Sequence, residues 1–270
     1  MKKYNYLTLL PLFTSIAYAS NIERDRSNFN MSFVEGSHAI FNAKATLGYS
    51  DNFFLTEEDK RSTNYLSIAP ELFLQGHNDQ HLGQFFARGN YVNYDEFSED
   101  NHTDISLLGK YFYKLASDNR IFLSASFDSL YELRGEGFTQ DFPNLTDTGN
   151  ERENLLVNAG YQYGRVDSVS RLNILIGQNN NEYKTNRNIT FLKDYERSFA
   201  TVELDYLVSA KTYFTSSLEY EEIEYKNDQE LSRDISSIFT GLKWQTTNIS
   251  SLSLLLGYEE VKFEDALFGD

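Results

Sequence analysis

The chain has 270 residues, is 40% hydrophobic and 15% aromatic, has no Cys, and carries a net charge of −16. Without Cys there is neither a disulfide framework nor a thiolate metal site, and so acidic a chain repels nucleic acid and anionic surfaces. Beyond the first twenty residues no apolar run approaches the roughly 18 residues of a spanning helix, which excludes a helical membrane protein but not a membrane barrel, where only alternate residues face lipid.

The N-terminus reads as a secretory signal over residues 1–19. Lys2 and Lys3 form its charged region, Leu7 to Ile16 its apolar core, and Ala17-Tyr18-Ala19 an A-x-A site with cleavage expected before Ser20. No Cys follows, so the chain is not read as a lipoprotein. Residues 20–37 show no clear period and read as a periplasmic lead-in; residues 38–270 read as one β domain.

That domain repeats a period-two alternation, which puts successive side chains on opposite faces of a strand. The first strand, about Ala39 to Ser50, sets Phe41, Ala43, Ala45, Leu47 and Tyr49 against Asn42, Lys44, Thr46 and Gly48. After a polar loop to Arg61, the second runs from about Thr63 to Gln75 and sets Leu66, Ile68, Pro70, Leu72 and Leu74 against Ser67, Ala69 and Glu71; Pro70 removes a ladder donor and weakens it locally. The third sets Phe85, Ala87, Gly89 and Tyr91 against Gln84, Phe86, Arg88 and Asn90. An acidic loop, Asp95 to Thr103, leads to the fourth, with Leu107, Gly109, Tyr111 and Tyr113 against Ser106, Lys110, Phe112 and Lys114. A tight turn at Ser117-Asp118-Asn119 joins it to the fifth, with Leu123, Ala125, Phe127 and Tyr131 against Ser124, Ser126, Asp128 and Glu132.

The longest loop, Arg134 to Glu153, precedes the clearest hairpin. Leu155, Val157, Ala159, Tyr161 and Tyr163 alternate with Leu156, Asn158, Gly160 and Gln162; after a turn, Leu172, Ile174 and Ile176 alternate with Arg171, Asn173, Leu175 and Gly177. A second long loop is expected from Asn179 to Arg197. The eighth strand sets Ala200, Val202, Leu204 and Tyr206 against Thr201, Glu203 and Asp205; the ninth sets Phe214, Ser216, Leu218 and Tyr220 against Thr215, Ser217, Glu219 and Glu221. The tenth sets Ile238, Thr240, Leu242 and Trp244 against Ser237, Phe239, Gly241 and Lys243, and the eleventh sets Leu252, Leu254, Leu256 and Tyr258 against Ser251, Ser253, Gly257 and Glu259.

Connections after odd strands are mostly long and polar, and those after even strands are short. With strands of about ten residues and tyrosines at their ends, this is the rhythm of an outer-membrane barrel with long extracellular loops and short periplasmic turns. The expected fold is an all-β, antiparallel up-and-down transmembrane β-barrel of about 11–12 strands. Single-chain bacterial barrels have even strand numbers and an open sheet edge is not viable in lipid, so the odd count and the last residue, Asp270, point to an incomplete barrel, the alternative being one further strand that the alternation does not mark.

The segment Ala45 to Thr56, ATLGYSDNFFLT, with its Tyr49-Ser50-Asp51-Asn52 turn, resembles the opening of the outer-membrane β-barrel porin family found beside exopolysaccharide synthesis genes; Gly160-Tyr161 and Gly257-Tyr258 suit the same family. The resemblance implies an outer-membrane protein of a Gram-negative bacterium, tied to export of a surface exopolysaccharide. The partners implied are membrane lipid, lipopolysaccharide, the polysaccharide and periplasmic export proteins.

No catalytic constellation and no cofactor motif is legible: the chain has no G-x-S-x-G, Walker or H-E-x-x-H motif. His38, His77, His81 and His102 read as loop or strand-end residues. The acidic clusters Glu57-Glu58-Asp59, Asp95-Glu96 and Glu221-Glu222 read as solvated rather than as cation sites. The expected pore lining is the polar face: Lys44, Glu71, Arg88, Lys110, Lys114, Asp128, Glu132, Glu203, Asp205, Glu219 and Lys243. Its aromatics, Phe86, Phe112, Phe122 and Phe239, either stack on sugar rings or fill the lumen. The alternatives are a non-conducting docking protein of the export machinery, an outer-membrane hydrolase and a secreted β-sandwich.

Overall fold

The computed structural model describes residues 4–6, 36–57, 60–140, 142–165, 168–245 and 250–264. It is a single antiparallel meander. Eleven long strands follow a three-residue one: β1 (Tyr4–Tyr6), β2 (Gly36–Ser50), β3 (Thr63–His77), β4 (His81–Tyr94), β5 (His102–Lys114), β6 (Asn119–Glu132), β7 (Asn150–Tyr163), β8 (Ser170–Tyr183), β9 (Tyr195–Ser209), β10 (Thr212–Tyr225), β11 (Arg233–Gln245) and β12 (Ser251–Phe263). From β2 to β12 each strand pairs with its sequence neighbours. Apart from β1, the expected signal sequence lies outside the described residues. β1 pairs antiparallel with Glu259, Glu260 and Val261 of β12.

The alternation expected from the sequence is the alternation observed, and register locks it. Leu74 faces Phe85, Phe85 faces Gly109 and Gly109 faces Ala125, so the apolar set stays on one face across the sheet. Pro70 has the expected effect: neither it nor Ala69 pairs with β4, and the ladder resumes at Glu71 opposite Arg88.

The strands are longer than expected, 13 to 15 residues each. The loops expected over Arg134–Glu153 and Asn179–Arg197 are in part strand: β7 starts at Asn150, β8 continues to Tyr183, and β9 starts at Tyr195. Beyond the apolar belt both faces are polar, so the period of two vanishes from the sequence. The backbone ladder needs no such pattern and continues, pairing Arg152 with Tyr183 and Asn179 with Arg197.

Long connections (51–62, 95–101, 133–149, 184–194, 226–232) all leave one end of the sheet and short ones (78–80, 115–118, 164–169, 210–211, 246–250) the other. Among the described residues the sheet is open, with β2 at one edge and the β12–β1 pair at the other. β2 and β12 run in the same direction, so joining them directly would require a parallel ladder where every other pair is antiparallel.

A single-layer sheet covers the side chains of its two faces equally only if it is flat. Here Val157, Ile176 and Leu218 are 49%, 56% and 53% exposed on the apolar face, while Gln162, Arg171 and Asn173 on the polar face are buried. The polar face is the concave one, where neighbouring side chains converge on each other.

Candidate pore lining and loop cap

Register places all eleven expected lining residues on the polar side of their strands. Arg88 and Glu71 lie directly opposite, 3.6 Å apart and half-exposed. Lys110 sits between Gln84 and Ser124, and Lys114 faces Arg120. Asp128 lies between Ser106 and Asn154. Lys44, near the sheet edge, is exposed. On the far side of the sheet, Glu203 accepts from Asn173 Nδ2 at 3.1 Å. Glu203, Glu221 and Glu259 act on Glu219 as like charges. Lys243 faces Tyr213. Two residues differ in role from expectation. Glu132 is drawn to the long-loop end, accepting from the Tyr183 hydroxyl at 2.8 Å. Asp205 is fully buried against Arg171 Nη2 at 2.6 Å, too covered to meet a solute.

The residues around Asp205 form a row that sequence reading missed. At the short-turn end Arg120 donates to Gln162, Arg171 pairs with Asp205, and the two guanidinium groups lie 5.1 Å from the Phe112 ring and 4.1 Å from the Tyr213 ring. Arg120, Gln162, Arg171, Asp205 and Tyr213 are all buried. Arg171 meets a counter-charge in Asp205, while Arg120 is met by the neutral Gln162 amide and the Phe112 ring. Only register could have revealed it, because the partners are 34 and 42 residues apart.

The polar-face aromatics have a common geometry. Phe122 lies directly opposite Gly160, Phe199 opposite Gly177, Phe239 opposite Gly257 and Tyr65 opposite Gly48. A Cβ added to any of these glycines would fall 2.1 to 2.4 Å from the facing ring. Each ring therefore lies flat over the bare backbone of its partner strand. Phe122 and Phe239 line the wall instead of projecting from it, which is the aromatic cover of glycine that strengthens exposed strands.

The long-loop end is built differently. Phe53, Phe54 and Phe97 from two loops bury themselves against Val92 and Tyr94 of β4, with Tyr65 and Leu133 alongside. Phe53 stacks on Phe97 at 4.4 Å. Beside them Asp100, fully buried, accepts from Arg134 Nε at 2.9 Å, from the Tyr131 hydroxyl at 3.1 Å and from the Gly149 backbone N–H at 3.1 Å. Burial works against the Arg134 charge, but Asp100 and Glu99 together hold its pKa above the ordinary value. Gly135 has φ +92°, and a Cβ there would meet the Phe54 carbonyl oxygen. A second junction centres on Asp194, which accepts from the Tyr183 backbone N–H at 2.8 Å and pairs with Arg187 at 2.6 Å. Asn186 ties this loop to the previous one through the carbonyl oxygens of Thr148 and Gly149. Tyr131, expected among the strand-end tyrosines, is thus a cap residue. Of the other strand-end tyrosines, Tyr49, Tyr91, Tyr163, Tyr206, Tyr220 and Tyr258 are exposed on the apolar face, while Tyr113 is half-buried and stacks on His81 at 4.9 Å.

The histidines are also more engaged than expected. His81 Nδ1 lies 2.6 Å from the Tyr111 hydroxyl, and His102 stacks on Tyr131 at 4.5 Å. Glu221 pairs with Arg197 within the sheet, and Glu58 and Asp59 lie outside the described residues. Among the described residues no group of three or more His, Asp or Glu side chains is arranged to hold a metal ion.

No protein-family model matches the chain and no curated protein matches it, so the family resemblance stands on residues 45–56 and the strand pattern. Among solved structures, the trimer form of in-vitro-folded OmpT, an outer membrane protein of Vibrio cholerae, is similar at 9% identity and a TM-score of 0.39, covering 84% of this chain and 98% of that one. Outer-membrane-expressed OmpT of the same organism is similar at 8% identity and 0.42, covering 84% and 97%. The translocator domain of the autotransporter NalP from Neisseria meningitidis is similar at 9% identity and 0.30, covering 92% and 95%. Identities and scores this low carry no inference about what this chain does.

Proposed function

We propose that the chain is an outer-membrane β-barrel protein with a porin-like lumen, and, on the resemblance of residues 45–56, that it serves export of a surface exopolysaccharide. The observation that carries the membrane reading is the apolar face. Leu47, Leu123, Val157, Ile176, Leu218, Leu254 and Leu256 stand exposed in one continuous belt across the sheet. Soluble proteins rarely expose apolar patches beyond a few hundred Å². Lipid removes the cost of that exposure, and the strands satisfy their own backbone groups, as hydrocarbon demands. Long loops then face outward and short turns face the periplasm. The leader would be cleaved before Ser20, which N-terminal sequencing of the exported chain tests.

The lumen reading draws on the concave polar face. Its neutral side chains, such as Ser124, Asn158 and Ser217, alternate along it with Lys110, Glu203 and Glu219, and its best-placed aromatics lie flat on the wall. Single-channel recording of the folded chain in planar bilayers tests this: discrete steps support a channel. The second reading is a non-conducting docking protein. It is favoured by the buried row from Phe112 to Tyr213 at the short-turn end, and it predicts SDS-resistant, membrane-inserted protein with no conductance steps.

A further inference from the structure

The loop cap sits on the lumen side of the wall. Val92 and Tyr94, under the Phe53–Phe54–Phe97 cluster, share their face of β4 with Arg88 and Asn90; Tyr65 shares its face of β3 with Ser67 and Glu71. These are residues of the concave polar face, so the loops after β2 and β4 fold inward over the mouth. The chain from 133 to 140 does the same and goes further. Arg134 packs 4.9 Å from the Phe54 ring, in the loop after β2, while Phe138 meets the ring of Tyr183, on the polar face of β8, edge-on at 5.3 Å. One short stretch thus touches groups that belong to β2–β4 on one side and β8 on the other.

We infer that residues 133–140 form a lid across the long-loop mouth, latched by Asp100, and this inference builds on the channel reading above. The latch is one carboxylate. Asp100 holds Arg134, Tyr131 and the Gly149 N–H, so it fixes both the start and the end of the loop. The lid's far edge packs Phe138 on Tyr183, and the tight bend between the two is made by Gly135 and Gly137, both at positive φ. A loop whose start and end meet at one buried carboxylate, and whose far edge rests on the Tyr183 ring, can be released at those two points, which is what a gate needs.

The chain has no Cys, so a single introduced thiol reports access without background. Ser124→Cys places it on the polar face of β6, below the lid. Full-length S124C on intact cells is exposed to a bulky, membrane-impermeant maleimide, alone and combined with Asp100→Asn or Phe138→Ala. The lid predicts labelling several-fold faster in both combinations, and larger unit conductance for D100N and F138A in planar bilayers. F138A leaves the Asp100 cluster untouched, so it guards against misfolding of the cap, and retained heat-modifiability on gels guards against misfolding of the wall. Unchanged labelling in both variants overturns the lid, even if the protein conducts. Faster labelling without any conductance keeps the lid and overturns the channel.

Discussion

The two ends of the sheet bury charge in opposite ways. At the short-turn end, Arg171 meets Asp205 across one hydrogen-bonded strand pair, and Arg120 meets Gln162 across another. Each partner is placed by the ladder itself. At the long-loop end, Asp100 gathers donors from residues 31 to 49 positions away, on segments that no ladder joins to it. The first arrangement follows from strand register; the second has to be assembled by the loops. Damage to a ladder pair should therefore stay local, whereas loss of Asp100 should release three loops together.

The largest expected effect is at that hub. Asp100→Asn leaves the Arg134 guanidinium without its buried counter-charge, a loss of about 3 to 5 kcal/mol in comparable sites. Hydrogen exchange should show loops 51–62, 95–101 and 133–149 losing protection together while β7 to β10 keep theirs. Loss confined to one loop would break the comparison. At the other end, Arg171→Gln removes the guanidinium that meets buried Asp205, and a cost of similar size, about 3 kcal/mol, is expected in urea-refolding experiments. Here only β8, β9 and the adjacent β10 should loosen. Replacing both partners, R171L with D205L, should recover most of the loss, because an apolar pair of similar volume escapes the desolvation cost.

The aromatic–glycine pairs give an intermediate effect. Gly160→Ala puts a Cβ 2.2 Å from the Phe122 ring, and displacing that ring should cost about 1 to 3 kcal/mol. Adding Phe122→Ala to it should cost less than the two single changes summed, since the clash is gone; strict additivity in the cycle would deny the contact. The smallest effect is at Arg88 and Glu71, half-exposed and 3.6 Å apart, where Arg88→Gln should change stability by no more than about 1 kcal/mol.

The same contrast explains how much was legible in the sequence. Strand order, faces and the place of all eleven expected residues on the polar face follow from alternation. A one-residue slip would turn the apolar set onto the concave face and the polar set outward, and Val157, Ile176 and Leu204 leave no ambiguity about which set is which. Strand ends were not legible: Asn179 to Tyr183 and Asn150 to Glu153 are polar on both faces and carry no period. The row around Arg171 needed register, since Arg171 and Asp205 look like two unrelated polar positions until β8 and β9 are aligned. Asp100 was least legible of all. In sequence it is one acid among several between Asp95 and Asp104, and nothing local separates the one that is buried from those that are solvated.

The central claim is that the apolar face meets lipid, and the single Trp of the chain reports on it directly. Trp244 is 50% exposed on that face of β11. In proteoliposomes its fluorescence should be blue-shifted, strongly quenched by lipids brominated along the acyl chain, and little affected by aqueous iodide. Efficient quenching by iodide with no response to brominated lipid would place this face in water and contradict the account.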